Sequence, residues 1–196
     1  SIAVPGCLTQ HPSICYNPPR MNGLQNIYYR QQFDPGLLGM WINPFYFARK
    51  GLALNIRHLA PHIQGKILDV GCGQKPYSSF FRGSRYVGLE VDTPENRQTK
   101  QADYFYDGIT FPFADSEFDS VISSQVLEHV FDPDRHMEEV RRVLKTQGAL
   151  LLTVPFVWDE HEQPVDYARY SSFGLKYLLE KHGFDVQESR KTMNDI

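Results

Sequence analysis

Residues 66–73, Lys-Ile-Leu-Asp-Val-Gly-Cys-Gly, run a short apolar strand directly into a turn with glycine at Gly71 and Gly73. Ile67, Leu68 and Val70 make a strand apolar on both faces, as a central parallel strand must be. The glycines let main chain approach a ligand where any Cβ would collide. Asp69 stands just ahead of the turn. A second strand, Arg85 to Asp92, follows after a short stretch with a helical start at Pro76, and it also ends in acid. Its Glu90 lies 17 residues beyond Gly73, close to the spacing at which a carboxylate receives ribose hydroxyls in a βαβ unit.

Composition bounds the setting. The chain has 196 residues, enough for one domain with a real core, and a 41% apolar share that excludes a disordered chain. Its net charge of −3 provides no basic face for phosphate tracking, so no nucleic-acid partner is expected. No apolar run approaches the roughly 20 residues of a membrane span, and no charged-then-apolar leader is visible, so no membrane partner and a cytoplasmic location are expected. The three cysteines, Cys7, Cys15 and Cys72, suit free thiols better than a disulfide set.

The glycine turn reads Asp-x-Gly-x-Gly-x-Lys, with Lys75 where a third glycine would stand. With it come Gly88-Leu-Glu90, then Phe111-Pro-Phe-Ala-Asp-Ser-Glu-Phe-Asp119, Gln125-Val-Leu-Glu-His-Val130 and Arg142-Val-Leu-Lys-Thr-Gln-Gly148. In this order, over roughly residues 65–190, the chain resembles the class I S-adenosylmethionine-dependent methyltransferases, of the methyltransferase type 11 kind. The resemblance implies an α/β fold: a three-layer, Rossmann-like, doubly wound and mostly parallel sheet. The family closes its sheet with a seventh, antiparallel strand. Here only Lys191–Ile196 follow the sixth, so either the chain is cut short or another element shields that edge.

Along the chain, residues 1–42 read as an N-terminal arm with little regular structure, and 43–196 as the methyltransferase domain. Asn43-Pro44 opens a leading helix over 43–63. Strands are expected at 66–71, 85–91, near 102–106, 118–123, 149–154 and 184–189. A short helix is expected at 76–82, and a loop or a single helical turn over 93–100. Two longer helices are expected, one begun by Asp132-Pro133 with Gly148 just beyond its end, the other over 172–182 and stopped by Gly183.

The resemblance implies S-adenosylmethionine as cofactor, and a set of residues to hold it. Asp69 and the Gly71-Cys72-Gly73 main chain would meet the methionine side and ribose, and Glu90 the ribose hydroxyls. Asp107, with Gly108 beside it, is preferred over Asp103 for the adenine amino group; Ser124 and Gln125 would line the methionine end. Each acid could instead be a solvated loop carboxylate or cap. Cys72 reads as a spacer rather than a nucleophile, since nothing nearby activates it.

The segment His161-Glu-Gln-Pro164-Val-Asp166-Tyr-Ala-Arg169-Tyr170 looks like one in a bacterial methyltransferase subgroup often associated with cell-surface glycans or small metabolites. It supplies His161 as the candidate catalytic base, with a pKa suited to proton acceptance; Asp166 and Arg169 would otherwise simply pin the loop. Glu128-His129 with His161 offers residue types found at metal sites, but a capped, hydrogen-bonded Glu-His pair is preferred and no metal is assigned. Aromatics at Tyr28, Tyr29, Phe33 and Trp41–Phe47 either roof the cofactor or bury themselves on the core.

The expected function is transfer of a methyl group to an O or N atom of a small-molecule or glycan acceptor. A binding module without turnover and an NAD-dependent oxidoreductase are the alternatives. Against the latter stand Asp69, Lys75 and Phe111-Pro-Phe113.

Overall fold

A computed structural model describes residues 23–192. Five parallel strands form its sheet: β1 (Lys66–Val70), β2 (Arg85–Val91), β3 (Tyr104–Tyr106), β4 (Phe118–Ser124) and β5 (Leu144–Thr153). Their order is β3-β2-β1-β4-β5, so the chain winds outward from β1 to one edge and from β4 to the other. That arrangement opens a crevice beyond the carboxyl ends of β1 and β4, where ligands bind in open α/β sheets. Asp69 pairs with Gly88 of β2 on one side and Ile122 of β4 on the other.

Alternation along the strands divides the core into two layers around the sheet. Leu68 and Val70 face one way, with Leu89, Val121, Met137, Val140, Val143 and Leu178. Ile67 faces the other, with Leu52, Ala53, Ile56, Phe81 and Ile122. The first layer is covered by α5 (Pro133–Val143) and α6 (Ser172–Lys181), the second by α3 (Tyr46–Leu59) and the 3-10 turn Ala60–His62. Chemistry in the sequence places these helices. Asp132 accepts a hydrogen bond from Arg135 N and Pro133 fills the first helical position of α5. At the end of α6, Gly183 (φ +77°) turns the chain, with Phe184 N donating to Leu179 O and Gly183 N to Glu180 O.

Several expectations are corrected. Residues 23–42, read as part of an irregular arm, carry α1 (Gly23–Phe33) and α2 (Gly39–Ile42); residues 1–22 lie outside the described residues. The leading helix begins three residues after Asn43, whose side chain instead caps the preceding turn by accepting from Phe45 N. The stretch 76–82 contains only the 3-10 turn Ser78–Phe80, whereas Thr93 caps a true short helix, α4 (Pro94–Thr99).

Gly148 does not stop α5. The helix gives way to strand at Leu144, because Val143 and Leu144 are both buried in the layer beneath. A Cβ at Gly148 would lie 2.8 Å from Leu144 Cδ1 and 2.9 Å from Asp119 O, so this glycine serves the irregular junction between β4 and β5. Nor is 184–189 a sixth strand. Phe184 packs on the core, but the segment then crosses to α3: Glu188 lies 3.6 Å from His58, and Arg190 Nε donates to Asn55 Oδ1 at 2.9 Å. Side chains rather than a ladder hold it.

Candidate active site

The site begins where β1 ends. Gly71 has φ +67°, and its missing Cβ is replaced by Val126, whose Cγ2 sits against the turn. Gly71 N and Cys72 N both donate to Leu89 O, tying the turn to β2. Gly73 N then donates to Glu90 Oε2 at 3.0 Å, while Val91 N donates to the other oxygen. The acid of the second strand therefore lies against the glycine turn, and Glu90 is nearly buried.

Asp69 lies on the same side, 5% exposed, and accepts a hydrogen bond from Tyr86 Oη at 2.6 Å. Burial raises its pKa to about 7, against the lowering effects of Tyr86 and Lys75; the charge of Glu90 adds to the rise. Cys72 is buried, and burial together with the charges of Asp69 and Glu90 holds its thiol strongly protonated. That environment does not make a nucleophile.

Lys75 explains the missing third glycine. It adopts the left-handed conformation (φ +53°) and its stem crosses β2 so closely that a Cβ on Gly88 would lie 2.5 Å from Lys75 Cε. Its ammonium reaches Asp103 Oδ2 at 2.6 Å, and the same oxygen accepts Gly88 N at 2.7 Å. Asp103, the lesser candidate for the adenine, is thus engaged in bracing the turn. Nothing local in the sequence couples residues 75, 88 and 103.

Asp107 is exposed just past β3. One of its oxygens accepts both Ile109 N and Thr110 N at 2.8 Å, and these amides hold its carboxyl below the ordinary range. Gly108 (φ +83°) lies alongside Val91 of β2, one residue beyond Glu90. The Phe111–Phe113 segment is clamped from α5: Arg142 donates to the carbonyls of Phe111 and Phe113, and Glu139 accepts Phe111 N. Ser124 and Gln125 leave β4 beside β5, the serine sharing a 2.9 Å hydrogen bond with Thr153 Oγ1 and Gln125 N donating to Thr153 O.

Among the aromatics, Tyr29 of α1 packs with its ring centroid 4.8 Å from that of Phe33; burial, then the charges of Tyr77, Cys72 and Asp69, push its phenol well up. Tyr28, Trp41 and Phe47 are exposed. Sequence reasoning missed Trp158, whose ring packs 4.6 Å from Phe45 with the Arg49 guanidinium 5.6 Å away.

His161 belongs to a second group, at the carboxyl ends of β4 and β5. Asp166 forms a paired salt bridge with Arg169 and accepts His161 N, and these contacts hold its carboxyl far below the ordinary range. His161 Nδ1 lies 3.2 Å from Asp159 O and 3.3 Å from Asp166 Oδ2. Its ring meets that of His129 edge-on, centroids 4.8 Å apart, and His129 Nδ1 bonds Val165 O at 2.8 Å. Beneath both lies Glu128, fully buried, whose carboxyl is pushed up by burial. Tyr167 N donates to Glu128 O, pinning the later loop to the earlier turn.

Known proteins are similar to this chain in sequence and in fold. Residues 68–152 match the family model described as a methyltransferase domain. The chain is 39% identical over 128 residues to an uncharacterized methyltransferase of Mycobacterium sp. (strain JLS), covering 60% of this chain and 50% of the relative. Another, from Mycobacterium tuberculosis (strain ATCC 25177 / H37Ra), is 30% identical over 145 residues, 67% of this chain and 57% of its own. The chain spans about half the length of the curated relatives it matches. A solved S-adenosylmethionine-dependent methyltransferase of Archaeoglobus fulgidus shares the fold, with TM-score 0.56 over 76% of this chain and 75% of that one at 19% identity. Over residues 68–152 the chain carries a methyltransferase domain, and S-adenosylmethionine is the cofactor that this similarity implies. No helix among the described residues is long and apolar enough to cross a membrane.

Proposed function

We propose that this chain transfers the methyl group of S-adenosylmethionine to an O or N atom of a small-molecule or sugar acceptor. The observation that carries the reading is the contact of Glu90 with Gly73 N, which sets a carboxylate against the bare main chain of the glycine turn. A ribose diol calls for such a carboxylate, and a sulfonium with an α-ammonium calls for acids such as Asp69 rather than phosphate-binding cations. Asp107-Gly108 at the rim suits the adenine end, and Ser124-Gln125 the methionine end.

The transfer asks chiefly for alignment. Sulfonium is already a good leaving group, and holding nucleophile, methyl and sulfur in line supplies up to about 7–11 kcal/mol. His161 marks the acceptor side, where it promotes loss of the acceptor's proton. Its place after β5, over the carboxyl edge of the sheet, supports that role.

Calorimetry with S-adenosylhomocysteine tests the reading. The folded chain binds it, and Glu90→Ala weakens binding at least about tenfold through loss of a doubly engaged carboxylate. Unchanged affinity in that variant, or no binding at all, rules the reading out. Release of S-adenosylhomocysteine across a panel of hydroxyl and amine acceptors then identifies the acceptor class.

A further inference from the structure

Glu128 presents a problem that the methyl-donor cleft does not solve. It is 0% exposed, and among the described residues neither of its carboxylate oxygens has a hydrogen-bond partner. A buried carboxylate left without a partner is costly, so the fold needs a reason to keep one. An imidazole nitrogen is close by: His129 Nε2 stands 3.9 Å from Glu128 Oε1, too far for a hydrogen bond. His161 completes the group, with one ligand atom from each of the three residues lying within 4.8 Å of the others.

The two histidines are also oriented in a specific way. His129 Nδ1 faces Val165 O, and His161 Nδ1 faces Asp159 O and the ionised Asp166. An oxygen acceptor on each Nδ1 fixes the proton there and leaves Nε2 with its lone pair turned to other uses. Histidines that bind metals are set up in this way, the second nitrogen donating to a carbonyl or carboxylate. Glu162 brings a further carboxylate oxygen to 3.9 Å from His129 Nε2.

We infer that Glu128, His129 and His161 bind a divalent transition-metal cation, with Glu162 or the acceptor completing its coordination. Two imidazoles and one carboxylate form a donor set for zinc, iron or cobalt that keeps a position open. At metal–ligand distances of roughly 2.0–2.2 Å, tetrahedral donors stand about 3.4 Å apart. The loop carrying His161 and Glu162 needs to close by at most about 1.4 Å. The cation neutralises Glu128 and gives the buried carboxylate its partner.

The role of the cation rests on the methyl-transfer reading and specifies it further. The cation holds the acceptor hydroxyl and lowers its pKa, and the proton passes to solvent. The oxygen then forms its bond to the methyl carbon as the carbon–sulfur bond breaks, with that electron pair returning to sulfur. His161 acts as a ligand in this scheme and not as a free base.

Titration of the metal-stripped chain with Co2+, followed by visible absorption, tests the site. S-adenosylhomocysteine calorimetry is run on the same samples. One equivalent of Co2+ binds with the d–d bands of a nitrogen and oxygen site and no thiolate charge-transfer band. His129→Ala and His161→Ala each weaken it at least about tenfold while still binding S-adenosylhomocysteine. Failure of the folded chain to bind Co2+, or equal affinity in both variants, overturns the cation site. Uptake of Co2+ as described by a chain that does not bind S-adenosylhomocysteine overturns the methyl-transfer reading and leaves the site standing.

Discussion

Asp69 is held between opposing influences: burial and Glu90 favour its protonated form, while the Tyr86 hydroxyl and Lys75 favour its charged one, with the balance near pH 7. The α-ammonium of the cofactor favours the charged form as well, so binding lowers the pKa and releases a proton. Affinity for S-adenosylhomocysteine therefore rises as pH climbs through about 7 and levels off above it, by up to ~10-fold per pH unit on the steep part. Calorimetry at about pH 6 and about pH 8 checks the sign, and Asp69→Asn flattens the profile. The position of Asp69, two residues before Gly71, is readable from seven letters of sequence. Its raised pKa is not, because the cause is burial between β2 and β4, only partly offset by a tyrosine 17 residues away.

At the scale of elements, Arg142 links α5 to the Phe111–Asp115 segment that leads into β4. Its guanidinium donates to both oxygens of Glu139, to Asp115 and to two carbonyls, a planar fork that an ammonium cannot reproduce. Arg142→Lys is expected to cost about 1–3 kcal/mol in urea unfolding, since charge-assisted bonds are lost around a partly buried head group. A loss under a few tenths of a kcal/mol would show that the clamp is ornamental. The boundaries of α5 show how far local signals reach. Asp132-Pro133 marks its start because a cap acts within one turn. Its end is set by burial of Val143 and Leu144 in a layer that other strands help to build.

Across the whole molecule, the Arg49 guanidinium lies between Phe33 of α1 and Trp158 of the loop after β5, at 5.5 and 5.6 Å, while Phe45 packs on the same Trp158. This seam joins the N-terminal helices to the loop that carries His161. Trp158→Ala is expected to speed amide hydrogen exchange both in the first turn of α3 and across residues 156–170, with a local loss of about 1–3 kcal/mol, and to leave β1 and β4 unchanged. Exchange that rises in the loop alone would mean that the two regions are not coupled. The central strand, the glycine turn and Glu90 were all written in short stretches of the chain, since an apolar run, a positive φ and a βαβ spacing are local properties. The bracing of that turn by Lys75 and Asp103, and the meeting of Glu128 and His129 with His161, arose only when strand order made neighbours of β1 and β2 and of β4 and β5. Pairwise contacts over such separations depend on which strands lie side by side, and no periodicity in a single chain records that.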